Sequence, residues 1–266
     1  MLDETLARRA RDLASGPKAL LIATDLDGTL APIVPDPAAA RVPDETLATL
    51  AQLTAQANVA VVTGRDLQTA RLLVPVSGVV FVASHGLEAS FDSSLLPQVE
   101  LPRLSHQLDL LASAVGRRFT DTGLRIERKS VSVAFHYRAD PALLAPLQEA
   151  LAELPAGLDL QAGKMVLEAV PRGSGKGAAL AALVARLAPR SLLVLGDDLT
   201  DIAMFHAAAR LRPAGTNVLI AGVAGGAEAP AEIAALADLL LASPAEAGQF
   251  LAAVASALAR PESASP

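Results

Sequence analysis

Four short apolar runs, Ala19 to Thr24, Val59 to Thr63, Val79 to Ala83 and Ser191 to Leu195, each break off into a polar motif. Runs of that length with no alternating polar residue suit strands covered on both faces, the condition of a parallel sheet. Helical patterns lie between them at Asp44 to Ala57, Asp66 to Leu73 and Gly177 to Leu187, the first opening with Pro43 and Asp44 as a start signal. Strand alternating with helix predicts a doubly wound α/β fold. In such a sheet the residues following each strand collect along the carboxyl edge, where ligands bind. Here they are Asp25-Leu26-Asp27-Gly28-Thr29, Thr63-Gly64-Arg65, Ser84-His85-Gly86 and Gly196-Asp197-Asp198.

The middle of the chain has another rhythm. A helix is expected over Ser105 to Arg117, strands over Leu124 to Glu127 and Val131 to Tyr137, a helix over Ala142 to Leu154, and strands over Leu158 to Gln161 and Met165 to Ala169. Val131, Val133 and Phe135 alternate with Ser130, Ser132 and Ala134, which predicts a sheet with one packed and one open face. By that alternation Tyr137 joins the packed face, while His136 and Arg138 look the other way. Residues 101–171 are therefore expected to form an inserted α+β unit, with 1–100 and 172–266 making the larger one. Thr216 to Ala227, rich in Gly and Ala, is less regular than a final strand should be. His106 and His206 are assigned to helix surfaces.

Composition removes several classes of function. The net charge of −6 is no nucleic-acid footprint, and an aromatic content of 3% leaves little for base stacking. With 0 Cys, thiolate metal sites, disulfides and thiol nucleophiles are excluded. No apolar stretch approaches the roughly 20 residues of a membrane span. Asp3, Glu4 and two Arg open the chain, and the first apolar run leads straight into Asp25, so a soluble, untargeted, cytoplasmic protein is expected.

An edge with several carboxylates and a flanking Arg holds together around a hard cation, and magnesium fits because it takes carboxylate oxygens together with substrate phosphate. Asp25 to Leu30, read as DLDGTL, resembles the signature of haloacid-dehalogenase-type phosphohydrolases; the plainer alternative is a surface turn. The resemblance implies that Asp25 attacks phosphorus, as an already ionised carboxylate can. It also implies that Asp27 serves as acid and then base, and that Gly28 lets the chain turn beside the phosphate. Thr63 would bind phosphoryl oxygens. Lys176, opening a helix after Gly173-Ser174-Gly175, would add a point charge there. That segment fails the nucleotide P-loop template, because Val170 stands where the first Gly belongs and Gly177 where Ser or Thr should be. Asp25, Asp27 through its carbonyl, Asp197 and Asp201 form the expected magnesium set, Asp201 positioning Asp197 or its water.

The insertion is similar to one family in particular. Ile126-Glu127-Arg128-Lys129, Val133 to Arg138, Gly163-Lys164-Met165-Val166-Leu167-Glu168, Pro171-Arg172-Gly173 and Gly196 to Asp201 resemble trehalose-6-phosphate phosphatases, in the family's order and across about Leu21 to Phe250. The resemblance implies a Rossmann-like core with a C2-type cap that closes over it, and Lys and Glu side chains of the cap that hold the disaccharide hydroxyls. Lys164 and Glu168, on one face of a strand, would stand about 13 Å apart, enough for more than one hexose. Lysine is scarce beside arginine, yet Lys129, Lys164 and Lys176 all fall in such motifs. The expected substrate-binding residues are Gly28, Gly64, Arg65 and His85 from the core and Lys129, His136, Arg138, Lys164 and Glu168 from the cap. His85 is a hinge or hydrogen-bonding residue. Two departures stand out: Thr63 replaces a frequent Ser, and Ile202 replaces an acidic residue after Asp201.

The implied activity is magnesium-dependent hydrolysis of trehalose 6-phosphate to trehalose and phosphate through an aspartyl-phosphate. The expected partner is a phosphorylated disaccharide, with no nucleic acid or membrane, acting on a monomeric enzyme. The same chemistry on sucrose 6-phosphate or glucosylglycerate phosphate is the first alternative, and a non-catalytic carbohydrate-binding relative the second. A phosphomutase is disfavoured, since no element returns the phosphate. Hinges are expected near Leu101 and Pro171.

Overall fold

The computed structural model describes residues 4–14, 19–91, 100–129, 131–163, 165–224 and 231–259, the side chains of His85 and Leu101 excepted. The chain enters through helix α1 (Glu4–Ala14) and reaches strand β1 (Leu20–Thr24). It continues through α2 (Asp44–Thr54), β2 (Asn58–Val62), α3 (Leu67–Leu73), β3 (Val80–Ala83) and the two-residue β4 (Glu88–Ala89). A second sheet is built next, from α4 (Leu101–Arg118), β5 (Arg125–Arg128), β6 (Val133–His136), α5 (Leu144–Ala150), β7 (Leu158–Gly163) and β8 (Val166–Pro171). The return to the first sheet runs through α6 (Lys176–Leu187), β9 (Ser191–Gly196), α7 (Leu199–Ala209), β10 (Asn217–Val223), α8 (Ala231–Leu236), β11 (Leu239–Leu241) and α9 (Pro244–Leu258).

The first sheet has the order β11-β10-β9-β1-β2-β3-β4 and is parallel except for β4, which closes the edge antiparallel to β3. The doubly wound α/β architecture predicted from the apolar runs is thus the one that forms. β1 lies between β2 and β9 and all five of its residues are buried. Leu20 and Ile22 face a core shared with α1, α2 and α9, while Leu21 and Ala23 face one shared with α6, α7 and α8. This two-sided burial is the physical reason the run contains no alternating polar residue. Because the chain leaves β1 toward β2 and later returns to β9 on its other side, the strand order reverses between β1 and β9. A crevice opens at the carboxyl end of such a switch point.

The Gly/Ala-rich segment proves regular where it is described. β10 spans seven residues inside the sheet, paired on both sides. Its small residues answer to packing, since a Cβ at Gly222 would stand 2.6 Å from Ile233 of α8. Residues 225–230 lie outside the described part.

The second sheet, β5-β6-β8-β7, is antiparallel throughout. Val133, Phe135, Leu167, Ala169, Leu158 and the half-buried Ile126 pack with α4 and α5 into a separate core, and Val131 and Tyr137 join it as the alternation predicts. The opposite face corrects one expectation. Ser132 (1% exposed) and Ala134 (0%) are buried, because this face is turned toward the first sheet and its helices instead of standing open to water. β7 lies against α7, and Gln161 of β7 donates through Nε2 to the Ser174 carbonyl at 3.4 Å, in the segment leading to α6. The expected long helix after Pro141 is a short 3-10 turn (Pro141–Leu143) followed by α5, which ends at Ala150. Among the described residues no helix is long and apolar enough to cross a membrane.

Candidate active site

The residues after β1, β2 and β9 and the start of α6 meet at the switch point. Asp25 is anchored by its backbone N–H, which donates to the Leu195 carbonyl of β9 at 3.0 Å. Its side chain is buried and pairs with Lys176, Nζ lying 2.7 Å from Asp25 Oδ1 and 2.8 Å from Asp201 Oδ1. Lys176 starts α6 directly after Gly175, whose φ of +109° and close approach to Gln161 both suit glycine.

Asp201 sits in the first turn of α7 and is fully buried. Its Oδ2 accepts from the backbone N–H groups of Asp197 (3.0 Å) and Asp198 (3.1 Å), while Oδ1 accepts from Lys176. Asp198 caps the same helix and accepts from Thr200 through both the backbone and the hydroxyl. Both Asp201 oxygens are therefore engaged, and the side chain that faces the crevice from this loop is Asp197. Thr29 Oγ1 donates to Asp197 Oδ1 at 3.1 Å, joining the first and last edge motifs. Gly28, with φ +89°, passes so close beneath this carboxylate that a Cβ there would lie 2.1 Å from Asp197 Oδ2.

The electrostatics follow from burial and an excess of acid. Burial pushes Asp25 up to about 7 against the pull of Lys176, with Asp197 and Asp198 adding to the rise. Burial likewise brings Asp197 to about 7, aided by Asp201 and Asp198. Asp201 rises to about 8, again from burial, despite Lys176. Desolvation acts on the half-buried Asp198 as well, but attraction to Lys176 and the bonds from Thr200 win and hold it below the usual range. Burial disfavours the charged form of Lys176, yet Asp201, Asp25 and Asp198 keep it well above an ordinary lysine. One ammonium cannot balance four carboxylates at this density, so protons or a further cation must.

The donor set fits a hard metal ion. One oxygen each from Asp25, Asp197 and Asp201 lies within 4.8 Å of the others. All are carboxylates, the ligands a divalent cation of the magnesium type prefers. With Asp201 occupied by Lys176 and two backbone donors, Asp25 and Asp197 are the side chains best able to bind it directly.

Asp27 is held differently. Its two oxygens accept from Arg65 Nε at 2.6 Å and Nη2 at 2.7 Å, and Nη2 also donates to the Pro37 carbonyl at 3.0 Å. Arg65, expected among the substrate contacts, thus directs its guanidinium to Asp27. Thr63 is 2% exposed, and its hydroxyl accepts from the Arg65 backbone N–H at 3.1 Å, with Gly64 between them half-buried. Ser84 donates its hydroxyl to Glu88, whose other oxygen accepts from the Leu67 N–H at the start of α3. The His85 side chain lies outside the described residues.

On the inner face of the second sheet, Glu168 is 8% exposed, and its Oε1 accepts from Lys129 Nζ at 3.0 Å and Ser132 Oγ at 2.5 Å. His136 Nε2 lies 2.8 Å from Glu127 Oε2. Arg138 is exposed, in the turn that follows β6. Lys164, expected on the same strand face as Glu168, lies outside the described residues. Sequence reasoning passed over Thr29, Ser132 and Glu127 as site residues. Thr29 and Glu127 stand inside the motifs quoted above, whereas Ser132 was assigned to an open face that is in fact buried. His106 and His206 are exposed on helices, as expected.

Comparison with known proteins agrees with this geometry. Residues 23–238 match the sequence model of the trehalose-phosphatase family. The trehalose-6-phosphate phosphatase of Escherichia coli is 34% identical over 196 residues, covering 70% of this chain and 73% of the relative. A trehalose-6-phosphate phosphatase structure from Aspergillus fumigatus superposes with a TM-score of 0.67 at 30% identity, covering 96% of this chain and 98% of that one. The C-terminal domain of the Candida albicans enzyme shares the fold, with a TM-score of 0.72 at 24% identity, covering 94% and 96% of the two chains. With a match that spans most of its length and every edge motif, the chain belongs to the trehalose-phosphatase family.

Proposed function

We propose that the protein hydrolyses trehalose 6-phosphate to trehalose and phosphate, with Asp25 as nucleophile and Mg2+ as the metal. The observation that carries this reading is the buried Asp25–Lys176 pair, which lies beside Asp197 at the switch point; the second sheet, whose Gln161 reaches the Ser174 carbonyl just before Lys176, carries Glu168, Lys129, Glu127 and His136. In the first step an Asp25 oxygen bonds to phosphorus as the bond from phosphorus to the sugar oxygen breaks, and Asp27 gives that oxygen its proton. In the second, Asp27 takes a proton from water as the water oxygen bonds to phosphorus and Asp25 departs. Lys176, the Thr63 hydroxyl and the backbone at Gly28 and Gly64 bind phosphoryl oxygens. Asp25, the Asp27 carbonyl and Asp197 would hold the magnesium ion, which supplies charge neutralisation for the transferring group.

Residues 101–171 act as a cap that closes over a core formed by 1–100 and 172–266. In this reading Lys129, Glu168, His136 and Arg138 contact the sugar, and Lys164 and His85 are assigned to substrate binding with them. Buried charged groups bind hydroxyls strongly once water is excluded, which suits a phosphorylated disaccharide. The reading carries with it a monomeric, cytoplasmic enzyme.

Phosphate release with magnesium, measured on trehalose 6-phosphate, sucrose 6-phosphate, glucose 6-phosphate and p-nitrophenyl phosphate, tests the proposal. Strong preference for the first compound, lost in excess EDTA and in Asp25→Asn, is expected. Equal rates across the panel overturn the substrate, and activity that survives EDTA overturns the metal.

A further inference from the structure

Arg65 pairs with the side chain of Asp27, a carboxylate outside the Asp25–Asp197–Asp201 cluster. The Arg65 side chain is 17% exposed, and its guanidinium grips both oxygens of an Asp27 side chain that is 36% exposed. A two-point contact between planar groups sets orientation as well as distance, which a lysine could not do. The grip is itself braced. The Pro37 carbonyl holds the guanidinium, Thr63 Oγ1 accepts from the Arg65 N–H, and the Arg65 carbonyl accepts from the Ser84 N–H at 2.8 Å. Arg65 is thereby fastened to the segments after β1, β2 and β3. Lys176 is committed to Asp25 and Asp201, so Arg65 is the cation paired with Asp27 among the described residues.

We propose that Arg65 is the positioning residue for Asp27: its two-point grip fixes the orientation of the carboxyl that serves first the leaving sugar oxygen and then the attacking water, without binding substrate. The inference rests on the phosphatase reading above. When the first step ends, the Asp27 proton is on the sugar oxygen, the new bond joins phosphorus to Asp25, and Asp27 is a carboxylate able to take both Arg65 contacts. Taking a proton from the attacking water in the second step returns it to the acid, with one oxygen still able to accept from Arg65. The fork therefore holds the same carboxyl in one orientation through both half-reactions.

The test compares wild type, Arg65→Met, Arg65→Lys, Asp27→Asn and the Arg65→Met/Asp27→Asn double variant on trehalose 6-phosphate and p-nitrophenyl phosphate, with magnesium. A sugar alkoxide needs a proton to leave and p-nitrophenolate does not. Since general acid catalysis contributes about 10²-fold or more, Arg65→Met should lower kcat on the sugar phosphate at least ~30-fold with KM little changed. The first-turnover burst of p-nitrophenolate should be nearly unaltered, and Arg65→Lys should recover part of the loss. In the Asp27→Asn background the Arg65 substitution should change kcat by less than about twofold, the signature of one shared function. Additive losses, or a raised KM with kcat preserved, overturn the assignment and make Arg65 an independent or substrate-binding group. Melting curves check that the variants fold, and Arg65→Lys decides the matter should Arg65→Met fail to. A wild type that releases phosphate from neither compound overturns the phosphatase reading itself, whereas an active wild type with additive variants overturns only the role of Arg65.

Discussion

Replacing Gly28 by alanine separates backbone strain from damage to the site, because a second glycine supplies the control. Gly28 and Gly215 share a φ of +89°, but nothing lies within 4 Å of a Cβ at Gly215, whereas at Gly28 it would lie 2.1 Å from Asp197 Oδ2, 2.4 Å from Cγ and 2.6 Å from Oδ1. Alanine in this backbone region costs about 1–2 kcal/mol, and Gly215→Ala should show that loss alone in urea unfolding, with full activity. In Gly28→Ala the Asp197 carboxylate must also retreat about 1.3 Å to reach the ordinary contact distance of 3.4 Å (3.4 − 2.1 = 1.3). It cannot retreat freely, since its N–H is tied to Asp201 and its Oδ1 to Thr29. Loss of the Thr29 bond adds about 1 kcal/mol to the instability. A misplacement of about 1 Å at a reacting centre costs on the order of 10²-fold, or about 2.7 kcal/mol, in kcat/KM. Steady-state phosphate release and a magnesium titration followed by thermal shift measure the two effects. Gly28→Ala retaining activity and metal response close to those of Gly215→Ala would refute the placement of Asp197.

Three further outcomes are expected. Asp25 and Asp197 at about 7 and Asp201 at about 8 all lie above the ordinary 3.8, so the native state binds protons more tightly than the unfolded chain. Their contribution to metal-free stability is complete below about pH 4 and is lost as pH rises through 7 to 8; the Tm gain on adding magnesium should therefore grow from pH 5 to 8, and a gain independent of pH would contradict it. Lys176→Met leaves Asp25 and Asp201 facing each other without a counter-ion and should cost about 3–5 kcal/mol in urea unfolding at pH 8.5 and clearly less at pH 5.5, where both take protons. Glu168→Gln removes the charge that meets Lys129 and Ser132 and should raise KM for the sugar phosphate about tenfold while sparing p-nitrophenyl phosphate.

The fold was legible because each strand of the first sheet states its own burial. Leu21, Ile22 and Ala23 are 0% exposed, and only a run apolar on both faces satisfies that. β10 was harder to see because glycine and alanine carry little hydrophobic signal. They stand there for the room they leave, as Gly222 does against Ile233. The inner face of the second sheet misled for the same kind of reason: Ser132 and Ala134 read as solvent-facing by alternation, and no local pattern tells water from another part of the chain.

By itself the sequence determined which residues end up at the carboxyl edge. DLDGT, TGR, SHG and GDD each follow an apolar run, and a parallel sheet sends all such ends to one side. Only the tertiary structure decided what each group does to its neighbours. Thr29 and Asp197 are 168 positions apart, Arg65 and Asp27 are 38 apart, and Lys176 and Asp201 are 25 apart. The first arises because β9 returns beside β1, the second because β2 lies on the other side of β1, and the third because α6 packs against α7. The same return buries Asp25 and Asp201 and half-buries Asp197 beside a single lysine, and the shifted proton affinities follow from that desolvation. Local patterning encodes how deeply a residue is buried, whereas partner choice and charge density depend on strand order, a property of the whole chain.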